Sequence, residues 1–375
     1  MDQALKDVIA RVHDARDRRL PLRLRGGGTK DFYGGSLQGD VLDTTPLAGV
    51  RSYEASELVI TVGAGTALAD VEAVLAESGQ CLPFEPPHFA WSGSGRATIG
   101  GMVAAGLSGP ARASVGSVRD YVLGLKMVNG LGQHLSFSGQ VMKNVAGYDV
   151  SRLMAGAMGT LGVLTEVSLK VLPVVPAQAT LRFALPQAQA LEQLHRWGGK
   201  PLPLNASCWL REGGEARLVV RLGGAVAAVE AACTSMLADQ AGLRVAEDEA
   251  HRFWTHCRNQ SLPFFARPPR ADMVLWRLSV AQTAPVMDLP SETLVEWHGG
   301  LRWLWAPPAA AAALQSAVRA AGGSAMPFVA APALSTASNG YLSLESAAIA
   351  AIHDRLKASF DPLGIFNPGR WLAGK

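Results

Sequence analysis

The stretch Leu20-Pro21-Leu22-Arg23-Leu24-Arg25-Gly26-Gly27-Gly28-Thr29-Lys30 decides the reading of this chain. Leu20, Leu22 and Leu24 alternate with other residues as in a half-buried strand, and three consecutive glycines follow at once. Glycine has no Cβ, so such a run frees the backbone for positive φ and turns several N–H groups toward one anion. A pyrophosphate is the natural occupant; a tight turn without ligand is the alternative if the loop is taken alone. Two familiar phosphate loops are excluded. The pattern G-x-x-x-x-G-K-[ST] does not occur, and Gly26-Gly27-Gly28 lacks the G-x-G-x-x-G spacing that opens a helix, so neither a P-loop ATPase nor a Rossmann dehydrogenase fits.

Working outward, Leu5, Val8, Ile9 and Val12 make one helical stripe before the strand. Strands at Val41 to Asp43 and Leu58 to Val62 come after the loop, and Gly63 and Gly65 precede a helix carrying Leu68, Val71, Val74 and Leu75. From Gly93 to Gly116 the chain is, for most of its length, too rich in Gly, Ala and Ser for a conventional amphipathic element, and reads as backbone brought close to something. Strands Val122 to Val128 and Val163 to Val171 lead to Pro173 and Pro176, where a boundary is expected.

Beyond it, strands (Thr180 to Leu185, Ala206 to Leu210, Arg217 to Leu222, Met273 to Val280, Leu294 to Trp297, Leu301 to Trp305) exchange with helices near Gln187 to Arg196, Ala225 to Gln240 and Ala309 to Ala320. This is the pattern of an antiparallel sheet covered by helices on one face. A last helix, Ser346 to Phe360, is followed by turn residues through Asn367-Pro368-Gly369-Arg370, as in a tail fixed onto the body. The expected division is 1–176, 177–340 and a returning segment 341–375, within an α+β fold class.

Two more glycine clusters accompany the first. Ala97-Thr98-Ile99-Gly100-Gly101 runs on to Gly106, Ser108, Gly109 and Gly116, small residues that permit close approach along an extended ligand. Gly159-Thr160-Leu161-Gly162-Val163-Leu164 leads into a strand, a weak signal by itself.

Composition narrows the function. With 49% hydrophobic and 17% charged residues the chain reads as a folded globular enzyme. A net charge of +3 without any Lys/Arg run argues against nucleic acid as a partner. No stretch approaches the roughly eighteen apolar residues of a membrane span, and the N-terminus lacks a signal-peptide plan, so a cytoplasmic location is expected. The four cysteines, Cys81, Cys208, Cys233 and Cys257, contain no C-x-x-C pair and offer neither an iron–sulfur set nor a zinc knuckle. His251, His256 and Cys257 do not repeat one helical face well enough for a metal site, and no metal is expected. Redox chemistry here needs an organic cofactor.

Taken in order, these motifs resemble the FAD-binding domain of the vanillyl-alcohol oxidase and p-cresol methylhydroxylase superfamily, over roughly residues 20–175. The resemblance rests on the R-G-G-G-T loop, Thr98 to Gly101, Gly116 with Arg119-Asp120-Tyr121-Val122-Leu123-Gly124, and Gly159 to Leu164. It implies a two-subdomain FAD-binding domain at 1–176 with an α+β cap at 177–340. It also implies that Arg25, Gly26, Gly27, Gly28, Thr29 and Lys30 wrap the pyrophosphate, while Pro83, Thr98, Ile99, Gly100, Gly101, Gly106, Ser108, Gly109, Arg112, Gly116, Arg119 and Asp120 serve the flavin side. Gly159, Gly162, Val163 and Leu164 would meet the adenosine half, and Arg370 would return with the C-terminal tail. Some members attach FAD through a histidine beside the first loop; Thr29 lies near that position here, which implies non-covalent FAD.

Within that superfamily, Lys143-Asn144-Val145-Ala146-Gly147-Tyr148-Asp149 and Glu296-Trp297-His298-Gly299-Gly300-Leu301-Arg302-Trp303 resemble the smaller FAD-binding subunits of glycolate oxidases, also called glycolate dehydrogenases. The resemblance implies a complex with a homologous larger FAD subunit and an iron–sulfur subunit that oxidises glycolate to glyoxylate. Removing a hydride from the α-carbon of a 2-hydroxy acid requires a cation for the carboxylate and a base for the hydroxyl proton. The His-x-Gly-Asp-Gly-Asn motif of single-subunit relatives is missing, so catalytic residues are not assigned. His298 and Arg302 could face the flavin, but packing roles on an ordinary strand are the favoured reading. A self-sufficient 2-hydroxy acid dehydrogenase and a non-catalytic scaffold with a flavin fold stay open as alternatives.

Overall fold

The structure is a computed structural model and describes residues 2–90, 95–137, 149–266, 268–329 and 347–370. The helix Gln3–Arg18 starts at Asp2, whose carboxylate accepts from the Ala4 N–H, and ends where Arg19 turns left-handed at φ 54°. It buries Val8, Val12 and Ala15 against Leu22, Leu42 and Phe366. The strand Leu22–Arg25 pairs in parallel with Asp40–Asp43.

A five-stranded sheet follows, in the order Val50–Glu54, Val59–Gly63, Val163–Lys170, Val122–Val128, His134–Phe137, with every neighbour antiparallel. Ile60, Val62, Val167 and Leu169 of this sheet pack on Leu68, Val71 and Leu75 of the helix Leu68–Glu77 and on Ile99, Met102 and Val103. The last three belong to a short helix, Ile99–Ala105, inside the segment rich in Gly, Ala and Ser. Its N-terminus is stabilised by the Thr98 hydroxyl, which accepts from the Gly101 N–H at 3.2 Å. Small residues let it press against the sheet: a Cβ on Gly100 would lie 2.9 Å from that of Ala64.

The second half is built on one eight-stranded antiparallel sheet, ordered Leu243–Arg244, Ala177–Phe183, Glu215–Gly224, Leu204–Glu212, Thr293–Glu296, Leu301–Ala306, Val274–Ser279, Ser324–Val329. Alternation along each strand sorts its side chains. Leu218, Val220, Trp209, Val274, Trp276 and Leu304 point to one face, under the helices Gln187–Gly198, Val226–Asp239 and Ala311–Ala320. Cys208, Val219, Leu275, Leu294, Trp303 and Trp305 point to the other, where Tyr33, Phe89, Leu107 and Met158 of the first half meet them. The helix Glu247–Asn259, which the apolar pattern did not reveal, covers part of this second face through Trp254 and Cys257. Its signal was electrostatic: Glu247, Asp248 and Glu249 open it, and His256 and Arg258 close it, complementing the helix dipole.

Residues 365–367 bond to the first strand. Leu22 N–H donates to Ile365 O (2.7 Å), Asn367 N–H donates to Leu22 O (2.9 Å), and Leu24 N–H donates to Asn367 Oδ1 (2.8 Å). Asp361, fully buried, accepts from Ile365 N–H (3.1 Å), Phe366 N–H (2.8 Å) and Lys357 Nζ (2.7 Å). Removing that carboxylate strands several donors in the interior. Asp361→Ala is expected to lower stability by about 2–4 kcal/mol in urea unfolding, with loosening of the glycine loop that the tail holds.

Candidate functional site

The loop after strand Leu22–Arg25 forms one wall of a cleft open to solvent, whose other walls are Thr98, Gly101, Ala104, Met158, Asn367 and Arg370. The glycines of this loop are required by space as well as by conformation. A Cβ on Gly26 would fall 2.3 Å from Thr98 Oγ1, one on Gly27 would fall 1.6 Å from the Arg96 carbonyl oxygen, and Gly28 has φ 73°. Among the described residues the N–H groups of Gly26, Gly27 and Gly28 donate to no protein acceptor. Backbone donors left in a cleft in this way are the groups an anion takes up.

Charge in the cleft agrees. Lys30 reaches Thr29 Oγ1 at 3.3 Å and lies 5.5 Å over the Phe89 ring, and burial pushes its amine down to about 8. A phosphate beside it would offset that desolvation. Arg25 folds over Gly28 and shares Asp31 with Arg23, at 2.9 and 2.6 Å. Arg370, buried, donates to the carbonyls of Lys30 (2.8 Å), Asp31 (3.1 Å) and Gly35 (2.8 Å), so its guanidinium holds the loop in shape.

The other sequence-derived residues divide by helical phase. Thr98 and Gly101 face the cleft, one turn apart, whereas Ile99 is fully buried in the sheet core and Gly100 packs on Ala64. Pro83 lies in the turn closed by Glu85 N–H to Leu82 O, and Gly106 meets Gly156 backbone to backbone. Ser108 and Gly109 line a second, narrow cavity against the eight-stranded sheet. Arg112 reaches that sheet too, its guanidinium 4.4 Å from the centre of the Trp297 ring. Gly116, at φ 97°, and Asp120 build the cap of a short helix with Ser117, and Arg119 donates to Ala155 O, all structural contacts. Gly159 abuts Asn367, while Gly162, Val163 and Leu164 are packed against Met127 and Val128 and do not line the cleft.

Arg302 is buried and donates to the carbonyls of Ala284, Pro285 and Gly299, which is the packing role favoured from sequence. His298 joins the halves through Ser114 Oγ at 3.0 Å, and burial pushes its ring down to about 4. Residues 143–148 of the Lys143 to Asp149 motif lie outside the described residues. Among the described residues no group of three or more His, Cys, Asp or Glu is placed to hold a metal, and no helix is long and apolar enough to cross a membrane.

Comparison with known proteins bears on this cleft directly. Residues 3–138 match the family model of an FAD binding domain. Over 366 residues, 98% of this chain and 97% of the relative, the sequence is 42% identical to the glycolate oxidase subunit GlcE of Escherichia coli. The chain belongs to the GlcE family of FAD-binding proteins. GlcE-family residues also align at 32% identity with a D-lactate dehydrogenase of Archaeoglobus fulgidus, over 48% of this chain and 40% of that one. The glycolate oxidase subunit GlcD of Bacillus subtilis aligns at 32% identity, over 47% and 37%. In fold the chain matches alkyldihydroxyacetonephosphate synthase with a TM-score of 0.66 at 16% identity, covering 97% of this chain and 75% of that one.

FAD fits the cleft of this GlcE-family chain, since the bare loop, its free N–H groups and Lys30 suit a pyrophosphate. Ala104 and Ala105 line the cleft, and Leu107, Ser108 and Gly109, next in the chain, line the separate inner cavity. Sequence reasoning missed Met158 in the cleft, and Arg258, Gln260, Arg277 and Glu296 in the cavity. Met158 sits between Gly156 and Gly159, where the glycines drew the attention, and the cavity residues are brought beside Ser108 and Gly109 only by the packing of the two halves. Glu296 is 4% exposed, accepts from Trp303 Nε1 at 2.7 Å, and is pushed by burial up to about 7.

Two outcomes are expected. Gly27→Ala forces the loop off Arg96, so equilibrium dialysis should show FAD binding at least about tenfold weaker while the circular dichroism of the folded chain persists. Glu296, raised in the fold from 4.5 to about 7, keeps its proton where the unfolded chain has lost it. It therefore contributes stability that is fully present below about pH 4.5 and lost as pH rises through about 7, on the order of 3 kcal/mol. Melting curves of Glu296→Gln against the parent should show that decline flattened.

Proposed function

We propose that this chain is the smaller flavin subunit of a multi-subunit glycolate oxidase, working with a homologous larger FAD subunit and an iron–sulfur subunit to convert glycolate to glyoxylate. The observation that carries the reading is the row of unengaged N–H groups at Gly26, Gly27 and Gly28 beside Lys30 in the cleft. Near-complete alignment with a glycolate oxidase subunit supports the choice of complex.

When bound, FAD supplies the hydride acceptor. Gly26 to Gly28 and Lys30 hold its pyrophosphate, Thr98 and Gly101 pass along its extended middle, and Ser108 and Gly109 lead toward the reacting end. The described residues lining the cleft include no histidine, cysteine or tyrosine to form a covalent link, which supports non-covalent binding. The division into an FAD-binding unit at 1–176, a cap at 177–340 and a returning tail at 341–375 belongs to the same proposal, with the complex on the cytoplasmic side and any membrane contact made through its partners.

Co-expression with the two partner subunits tests it. The purified complex is expected to show flavin absorbance and to reduce an artificial acceptor with glycolate; a complex in which this chain carries no flavin would sink the reading. A second outcome concerns Lys30. Phosphate binding favours its protonated form, so above about pH 8 binding must take up a proton and FAD affinity should fall by about tenfold per pH unit. Fluorescence titration of Lys30→Met should lack that slope.

A further inference from the structure

The narrow cavity between the two halves is lined by Ser108 and Gly109 on one side and by Arg258, Gln260, Arg277 and Glu296 on the other. Its polar groups are poorly matched to each other. Arg277 reaches the Met326 sulfur at 4.0 Å and stacks 5.2 Å from the centre of the Trp297 ring, yet no carboxylate comes within 4.0 Å of it among the described residues. Arg258 Nε and Gln260 Oε1 are buried without a hydrogen-bond partner. Glu296 uses Oε2 to accept from Trp303, and Oε1 has no donor among the described residues.

A purely structural role would have joined Arg277 and Glu296 as an ion pair, since Glu296 is buried and a buried carboxylate without a counter-charge is costly. Holding them apart across a cavity, with two orphaned polar atoms beside them, leaves a vacancy in hydrogen bonding that a small anion with a hydroxyl completes. A carboxylate suits the planar fork of Arg277. The rings of Trp297 and Trp303 wall the same space.

We propose that this cavity is the substrate subsite of the chain itself. Arg277 anchors the carboxylate of a small 2-hydroxy acid, and Glu296 Oε1 accepts the hydrogen of its hydroxyl. Arg258 and Gln260 complete the polar wall. The inference rests on the reading as an FAD-dependent 2-hydroxy acid oxidase subunit and adds that substrate meets this subunit, not only its larger partner.

The test uses the flavin-loaded complex with all its subunits. Oxalate, which has no α-hydrogen to lose, is titrated while flavin absorbance is followed, and glycolate turnover is measured separately. Arg277→Met is expected to weaken oxalate binding by about 100-fold with flavin content unchanged, and Arg277→Lys by about tenfold, since the ammonium lacks the fork. Glu296→Gln is expected to keep oxalate affinity within about threefold and lose about 100-fold in kcat. Wild-type oxalate affinity in Arg277→Met overturns the proposal, as does wild-type turnover in Glu296→Gln. If the methionine variant does not assemble, unchanged oxalate affinity in Arg277→Lys overturns it equally. A parent complex that holds flavin and oxidises glycolate, with variants that match it, defeats this inference alone. A parent complex without flavin or glycolate turnover defeats the functional reading beneath it.

Discussion

The structure depends on a contact between two pieces of bare main chain. A Cβ on Gly27 would sit 1.6 Å from the Arg96 carbonyl oxygen, and a Cβ on Gly95 would sit 1.6 Å from the Gly27 carbonyl oxygen. Neither side of this contact tolerates a side chain. It locks the loop after the first strand onto the segment that starts the helix Ile99–Ala105, and so fixes the two walls of the cleft relative to each other. With the walls this close, the glycine N–H groups have no room for protein acceptors and stay available.

Everything around the loop serves to hold that arrangement. Asp31 draws Arg23 and Arg25 together on one side. On the other, the tail adds Phe366 and Asn367 beside Leu22, and Arg370 collects three loop carbonyls. Hydrogen bonds from a charged donor to main-chain oxygens are among the stronger neutral-partner contacts, and three of them from one guanidinium leave the loop little freedom. The preorganised loop then needs little ordering when its ligand binds.

The second half supplies what the first cannot. Period-two alternation sends one set of its large side chains under the helices and the other set against the glycine-rich half. At that seam Trp297 donates to Gly109 O at 3.0 Å and Arg221 donates to Glu85 at 2.6 Å, joining the halves across sequence separations of 188 and 136 residues. The polar cavity lies along the same seam, next to Ser108 and Gly109, so packing of the sheet face and formation of the cavity are one event.

The sequence by itself determined the glycine loop and many strands of both sheets in outline, because each rests on local chemistry: absent side chains, alternation and turn residues. It held no signal for the helix Ile99–Ala105 within Gly93 to Gly116, since a helix of small residues is stabilised by close approach to Ala64 and the core and has no amphipathic stripe to read. It also grouped Thr98 to Gly101 as one motif, when helical phase sends Ile99 and Gly100 into the core and leaves Thr98 and Gly101 on the cleft. Only the tertiary structure decided that Arg302 is a packing residue while Arg277 and Glu296 share a cavity with Ser108. Their chemistry comes from burial and from partners distant in the chain, and a charge in a strand shows neither until the two halves meet.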